Sequence, residues 1–317
     1  MLLLTAIAAW LGCIFYTLRL NPELKYYVQG AAIKDRWAEK MTREHGPKVL
    51  VYGGSSCAFS IDGERMLARV NLPTVNYGSA AGMGTAILTE SVLGQVRPGD
   101  TLIVALEPGL LTEAFDPPAL GVQFSLALHH PEWVIHPVLP PASLNWFQAL
   151  AALRPGGAHT FTLLGKIVSH KPLMRYQEKD YRPSGWEQTG VRMKITGPPG
   201  HGPRLSNDAR IWLQALRDWS GRNSVRVAYS LPWGYTPPER ESSFQRENAD
   251  FLLQVNEFIP VLKDTHLGAD THIEHFADTA WHLNEAASDL RTDELGEQIK
   301  NWKIWTVEEL RLRESQL

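Results

Sequence analysis

The chain opens with an uninterrupted apolar stretch. Residues 1–18 contain no charged side chain, and the first charge is that of Arg19. As a helix, this stretch would be about 27 Å long, which is enough to cross the hydrocarbon core of a membrane. We therefore expect residues 1–20 to form a transmembrane anchor, with a buried helix of a soluble fold as the alternative. The polar, helix-compatible residues 21–46 that follow are expected to form a helical stalk.

Short apolar runs and amphipathic segments alternate from residue 47 onwards. Apolar runs bounded by Gly, Pro or Asp are typical of buried strands. They predict strands at 48–52, 74–77, 101–106, 225–230 and 271–276. Apolar positions with a period of about 3.6 residues predict the intervening helices. These lie at 82–96, 208–220, 244–263 and 285–299. The alternation indicates an α/β domain with a parallel sheet of about five strands.

This regular alternation stops between about residues 115 and 205. The segment is rich in Pro, Gly, His and Trp, and it is too long for a plain loop. We expect an insertion or lid there, within a domain that spans residues 47–303. Residues 304–317 are expected to form a C-terminal tail.

Composition excludes two classes of function. The chain has 317 residues, with 31 basic and 34 acidic side chains and a net charge of −3. A nucleic-acid binder would need a basic surface, so we expect no nucleic-acid partner. The two cysteines, Cys13 and Cys57, are too few for a disulfide framework or a cysteine-rich metal site.

Small or reactive residues follow three of the predicted strands. Ser55 comes after two glycines at the end of the first strand, and Gly78 ends the second. Asp278 and His282 follow the last strand. Because the carboxyl ends of parallel strands share one edge, these residues are expected to meet there. A hydroxyl, a bare backbone N–H and a histidine with an aspartate partner are the parts of a serine nucleophile site.

Three segments resemble the SGNH, or GDSL-type, hydrolase superfamily. They are 48–62 (KVLVYGGSSCAFSID), 75–78 (VNYG) and 278–292 (DTAWHLNEAASDLRT). The most similar members are membrane-anchored bacterial proteins with Gly-Gly-Ser and His-Leu-Asn motifs, the teichoic-acid D-alanine transfer proteins among them. The resemblance covers about residues 47–110 and 224–300.

The resemblance implies a flavodoxin-like sheet and an activity. Ser55 would be the nucleophile, His282 the base and Asp278 its acid partner, with the N–H groups of Ser55 and Gly78 as oxyanion donors. The implied activity is ester hydrolysis or acyl transfer without a cofactor or metal. The expected substrate is an acylated cell-surface glycan or another small ester of the envelope. The domain would then lie on the extracytoplasmic face, with a membrane O-acyltransferase as a candidate partner.

Two positions depart from the family pattern. Glu107 ends the third strand where the family supplies an Asn oxyanion donor, and loss of one such donor typically costs about 10²–10³ in rate. Asp278 lies four residues before His282, and Thr279 occupies the usual position three residues before it. A second hypothesis is therefore a catalytically weak domain that binds glycan or supports a membrane O-acyltransferase. The candidate residues for a substrate rim are Glu107, Trp233 and Trp281.

Four other kinds of site remain open. Gly78, Gly82 and Gly84 fit a dinucleotide-binding loop, but the Tyr-x-x-x-Lys pattern of short-chain dehydrogenases does not accompany them. The histidines between 266 and 282 could bind a metal, but strand alternation would send His272 and His275 to opposite faces. The Asp-Thr-His triplets at 264–266 and 270–272 resemble a motif of alginate acetylation proteins. Cys57 is a candidate nucleophile or a small core residue.

Overall fold

A parallel sheet of four strands lies at the centre of the domain. Its strands are β1 (Val49–Tyr52), β2 (Thr74–Asn76), β3 (Thr101–Val104) and β4 (Arg226–Tyr229). The spatial order is β2-β1-β3-β4, with Val49 of β1 opposite both Thr74 and Thr101. Every residue of β1, β2 and β3 is buried, which explains why these strands consist mainly of apolar or β-branched residues. The α/β class and the first four predicted strands are confirmed.

The structure is a computed structural model that describes residues 2–115, 118–141, 144–153, 157–195 and 204–317. Met1 of the predicted anchor and residues 116–117, 142–143, 154–156 and 196–203 of the predicted insertion lie outside the described residues. In chain order the helices are α1 (Leu2–Phe15), α2 (Pro22–His45), α3 (Ser55–Ala58), α4 (Gly63–Val70), α5 (Thr85–Leu93), α6 (Gly109–Thr112), α7 (Ala119–Ala127), α8 (Glu132–Ile135), α9 (Trp146–Ala151), α10 (Gly157–Val168), α11 (Asn207–Arg222), α12 (Glu241–Asn256), α13 (Glu285–Lys300) and α14 (Val307–Gln316).

The predicted fifth strand at 271–276 is wrong. The chain forms a 3₁₀ turn at Ile273–His275, and the short strands β5 (Gly234–Tyr235) and β6 (Ala269–Asp270) make a separate parallel pair. The Asp270 carboxylate accepts the His272 backbone N–H at 2.9 Å, which turns the chain out of an extended path. Beside β4, an isolated parallel bridge from Tyr229 to Val261 takes the edge position.

This turn also changes the placement of two histidines. Residues three apart nearly eclipse in a 3₁₀ turn, whereas in a strand they would face opposite sides. The His272 and His275 rings therefore lie together, with centroids 4.8 Å apart. The predicted divergence of these two side chains is wrong.

Residues 21–46 are helical, as expected, but they do not form a separate stalk. The helix α2 begins after Asn21, whose side chain accepts the Glu23 N–H at 3.1 Å, and it ends at Gly46 with φ 78°. One face of α2 is buried against β2 and α7. The buried positions are Leu24, Tyr26, Gly30, Lys34, Trp37, Ala38 and Met41. Their spacing of three or four residues is that of a helix packed on a core.

The N-terminal apolar segment is one exposed helix. The helical stretch Leu2–Leu20 has 19 residues and the length and composition of a membrane span. Its last part, Tyr16–Leu20, is a π-helical turn in which the Thr17 hydroxyl donates to the Leu153 carbonyl at 2.9 Å. The chain thus has an N-terminal apolar helix that is consistent with a signal anchor or a signal sequence.

The two remaining irregular regions are partly helical. The predicted insertion at 115–205 contains α7 to α10, and its later residues run back over the carboxyl edge of the sheet, where Asn76 N–H donates to the Ser184 carbonyl at 2.8 Å. The predicted tail at 304–317 contains α14, which packs against α12 and buries Leu310. A capping box between Thr306 and Glu309 starts α14.

Candidate active site

Two glycines deliver Ser55 to the carboxyl edge of the sheet. The chain leaves β1 at Tyr52, and Ser55 is the first residue of α3. A Cβ on Gly53 would overlap the Ala105 carbonyl, and a Cβ on Gly54 would overlap the Glu107 carboxylate. Only glycine therefore fits position 53, and a side chain at position 54 would displace the Glu107 carboxylate. Ser55 is half-buried, and its hydroxyl makes no hydrogen bond within the described part of the chain.

The sequence predicts Glu107 at an open substrate rim, whereas the structure buries this side chain. It is 6% exposed, and its two carboxylate oxygens accept the N–H groups on either side of Ser55. Gly54 N lies 3.1 Å from Oε2, and Ser56 N lies 2.9 Å from Oε1. The carboxylate thus fixes the turn that carries Ser55. The Ser55 N–H donates to no group among the described residues and remains available as an oxyanion donor.

The Gly78 N–H, predicted as a second oxyanion donor, is already occupied. It donates to the Asn76 side-chain oxygen at 2.7 Å. Asn76 in turn donates to the carbonyls of Cys57 and Ile61, which joins the loop after β2 to the end of α3. A Cβ on Gly78 would overlap the Ala58 backbone, so this glycine serves a close approach of two chain segments.

The structure brings Asp278 and His282 into direct contact. His282 Nδ1 lies 2.8 Å from Asp278 Oδ1, and the Asp278 side chain is 0% exposed. The spacing of four residues is accommodated by Thr279, whose hydroxyl oxygen accepts the N–H groups of Trp281 and His282 at 3.2 Å each. Thr279 closes the turn, and the carboxylate one residue earlier reaches the ring.

Two residues that sequence reasoning missed complete the surroundings of Asp278. The Tyr176 hydroxyl donates to Asp278 Oδ2 at 2.6 Å, and Arg175 donates to the same oxygen at 3.0 Å. The Tyr176 oxygen also lies 3.3 Å from His282 Nδ1. Both residues come from the irregular insertion, more than a hundred positions before Asp278 in the chain.

These contacts decide the charge of Asp278. Burial raises the pKa of a carboxyl, but hydrogen bonds from His282, Tyr176 and Arg175 and the charge attraction of His282 outweigh it here. The net result lowers the pKa of Asp278 to about 2. The carboxylate is therefore ionised at neutral pH and orients the imidazole through Nδ1, which leaves Nε2 free to accept a proton.

Phe59 connects the histidine to the serine. The Phe59 ring stacks on His282 with centroids 4.3 Å apart, and the Phe59 N–H donates to the Ser55 carbonyl at 3.1 Å. His282 therefore packs, through the Phe59 ring, against the end of the short helix that Ser55 begins. Within the described residues, the Ser55 hydroxyl and the imidazole are not hydrogen-bonded to each other. Catalytic hydrogen bonds are often long before substrate binds.

A buried polar layer lies behind the loop after β2. The Lys34 ammonium of α2 donates to the Gly78 carbonyl, and the Tyr26 hydroxyl donates to Glu187 at 2.6 Å. Burial lowers the pKa of Lys34 and raises that of Glu187. A lysine on the apolar face of α2 was a signal in the sequence, but the expectation of a stalk concealed it.

The other candidate residues from the sequence, two tryptophans and a cysteine, differ in how deeply they are buried. Trp233 is 9% exposed and packs with Phe276 and Leu283, and Trp281 is half-buried beside His282 in the chain. Cys57 is 2% exposed. Burial raises the pKa of its thiol, so it is poorly suited to act as a thiolate nucleophile.

The parts of this edge define a class of site: a serine on a glycine turn, an oriented histidine and a buried carboxylate. Compared with protein-family models, with curated proteins and with solved structures, the chain shows no match.

Proposed function

We propose that this protein is a serine-dependent esterase or O-acyltransferase in which Ser55, His282 and Asp278 form the catalytic triad. The observation that carries the proposal is the buried Asp278 carboxylate on Nδ1 of His282, whose ring stacks on Phe59 at the end of the helix that Ser55 begins. Among the described residues the Ser55 hydroxyl has no hydrogen-bond partner. The resemblance to SGNH hydrolases assigns the same three residues to the same roles.

The proposed reaction has two steps. The Ser55 oxygen attacks the ester carbonyl and gives its proton to His282 Nε2, while Asp278 stabilises the imidazolium. The tetrahedral intermediate collapses to an acyl ester on Ser55, and the leaving alcohol takes the proton from His282. Water or a sugar hydroxyl then attacks the acyl ester, with His282 again accepting and returning a proton. The acceptor alone distinguishes hydrolysis from transfer.

Oxyanion stabilisation is the weakest part of the site. The Ser55 N–H is available, whereas the Gly78 N–H is bonded to Asn76 and Glu107 replaces the Asn donor of the family. This arrangement favours activated esters, whose carbonyls need less stabilisation. The same shortage of oxyanion donors supports the second candidate function, a glycan-binding domain of low activity that supports a membrane O-acyltransferase.

The expected substrate lies at the cell envelope because of the N-terminal helix. We propose that Leu2–Leu20 anchors the domain in the membrane, with the domain on the extracytoplasmic face. Leu153, just after α9, accepts a hydrogen bond from Thr17 of this segment. Trp146 and Phe147 of α9 are 55% and 78% exposed, and aromatic side chains of this kind favour a membrane surface. An acylated glycan or another ester near the membrane would then be within reach.

Turnover of p-nitrophenyl acetate by the full chain in detergent tests the proposal. Ser55→Ala should lower the rate by about 10³-fold or more, since it removes the attacking atom. Ser56→Ala is the matched control, because the buried Ser56 hydroxyl has no hydrogen-bond partner in the described part of the chain and its loss leaves no group there unpaired. Equal rates in the wild type and both variants would refute the assignment. Glycan binding by a chain with no turnover would favour the second function.

A further inference from the structure

A second cluster of ionisable side chains lies outside the proposed active site. Asp270 ends β6, and its carboxylate is 8% exposed. His272 Nδ1 lies 2.9 Å from Asp270 Oδ1, and His275 Nδ1 lies 2.6 Å from Asp270 Oδ2. One donor atom from each of the three residues lies within 4.8 Å of the other two. The proposed ester chemistry uses none of these groups.

This donor set has the geometry of a cation site. Ligands of a tetrahedral zinc ion with bonds of about 2.1 Å are about 3.4 Å apart, so small movements of the two rings would open space for an ion. Both imidazoles direct Nδ1 to the same carboxylate, so a cation that replaced the protons of these two contacts would meet two nitrogen donors and an anionic oxygen. Imidazole nitrogen together with carboxylate oxygen is a common ligand set for zinc and neighbouring divalent metals.

A cavity adjoins the cluster and leaves room for a further ligand. It has a volume of about 360 Å³ and is bordered by Asp270, His272 and His275. Glu241 and His266 line the same cavity, and each offers another donor of a suitable type. Three protein donors facing a cavity are the arrangement in which zinc retains an open position for water or another ligand.

We propose that Asp270, His272 and His275 bind a divalent transition-metal cation of the zinc class. The sequence pattern is Asp-x-His-x-x-His, and the 3₁₀ turn at Ile273–His275 brings its three side chains together. This proposal is independent of the ester chemistry.

We expect metal binding to stabilise the loop that carries Asp278 and His282. The His275 carbonyl accepts the Asn284 N–H at 2.8 Å, and the Asn284 side chain donates to the Glu274 carbonyl. A bound ion would therefore fix both ends of the segment that contains Asp278 and His282. Slower hydrogen exchange of residues 269–284 on addition of the metal is expected.

Calorimetric titration of Zn²⁺ into the full chain, stripped with EDTA and free of any affinity tag, tests the site. The wild type should bind one Zn²⁺ per chain. His272→Gln and Asp270→Asn should each weaken binding about 10-fold or more, whereas His45→Gln, a change at an exposed histidine at the end of α2, should match the wild type. His272 is 61% exposed, so its replacement removes a donor without disturbing the core.

Two outcomes would overturn the proposal. One is the absence of saturable Zn²⁺ binding by the wild type below about 100 µM, well above the range of built zinc sites. The other is equal Zn²⁺ affinity in His272→Gln, Asp270→Asn and His45→Gln. The Co²⁺ spectrum of the wild type gives a readout that needs no variant: a four-coordinate spectrum supports the site, and the spectrum of hydrated Co²⁺ contradicts it.

Discussion

Two clusters of aspartate and histidine lie in one short stretch of this chain, and their carboxylates make different contacts. In the first, Asp278 Oδ1 contacts a single imidazole, and Oδ2 accepts hydrogen bonds from Tyr176 and Arg175. In the second, each oxygen of Asp270 contacts a different imidazole. The first arrangement orients one histidine, whereas the second gathers two.

Burial separates the two clusters further. The His282 side chain is 8% exposed and stacks on Phe59, while the His272 side chain is 61% exposed beside a cavity. A base that serves one nucleophile needs a fixed ring, and a cation site needs access for the ion. The comparison teaches that an aspartate–histidine contact has no function by itself, since the groups around it decide what it can do.

The largest expected effect comes from the carboxylate of the first cluster. Asp278→Asn leaves an amide that cannot stabilise the imidazolium, and we expect the turnover of p-nitrophenyl acetate to fall by about 10³–10⁴-fold. Asp218→Asn, a change at an exposed carboxylate on α11, is the control. A fall of less than about tenfold would mean that the Asp278 carboxylate does not support the reaction, which would contradict the proposed function.

A stability effect of about 2 kcal/mol should follow from the pKa of Asp278. Because that pKa is lowered from 3.8 to about 2, its contribution is present above pH 5 and is lost as the pH falls through 2. Urea unfolding at pH 6 and pH 3 measures it. The wild type should lose about 1 kcal/mol more than Asp278→Asn between these values. An equal loss in both proteins would show that the carboxylate is not held as the structure indicates.

A smaller effect is expected at Tyr176, which acts through Asp278 as a positioning residue. Tyr176→Phe removes one hydrogen bond to a buried carboxylate, and we expect kcat to fall about tenfold with little change in KM. The variant should also reduce the acid-dependent stability, because the pKa of Asp278 rises when a donor is lost. Tyr235→Phe is the control, since the Tyr235 hydroxyl makes no hydrogen bond among the described residues. A fall in kcat matched by the control would contradict the role.

The last prediction compares the stability effects of the two histidines in EDTA, the smaller of which is the smallest change expected in either cluster. His282→Gln removes a partner of a fully buried carboxylate and should lower the free energy of unfolding by about 2 kcal/mol. His272→Gln breaks a mostly exposed contact and should lower it by about 0.5 kcal/mol or less. Urea unfolding at neutral pH measures both. Similar losses would mean that burial does not distinguish the clusters.

Much of the fold could be predicted from the sequence, because the four strands are almost wholly buried and consist mainly of apolar or β-branched residues. The segment 271–276 misled us, since its alternating residues imitate a strand while the Asp270 side chain turns the chain. The interpretation of 21–46 as a stalk failed for a different reason. The polar residues of α2 conceal a buried face, and that face is defined only by contact with β2 and α7.

The candidate site, like the fold, has residues that the sequence predicts and residues that it does not. Ser55 follows β1, and Asp278 and His282 stand in a short motif before α13, so their places in the chain and the family resemblance could indicate them. Arg175 and Tyr176 lie in a segment without periodicity, and their contact with Asp278 is a long-range one that no local pattern encodes. The partner of the Gly78 N–H likewise depends on the rotamer of Asn76, which the sequence does not reveal.

Labelling of the full chain with a fluorophosphonate, followed by mass spectrometry of its peptides, tests the central claim most directly. The account predicts one adduct, on Ser55, because His282 activates this hydroxyl and no other. The adduct should be lost in His282→Gln and retained in His45→Gln. An unlabelled wild type, or equal labelling of Ser55 with and without His282, would contradict the claim that the Asp278–His282 pair serves this serine.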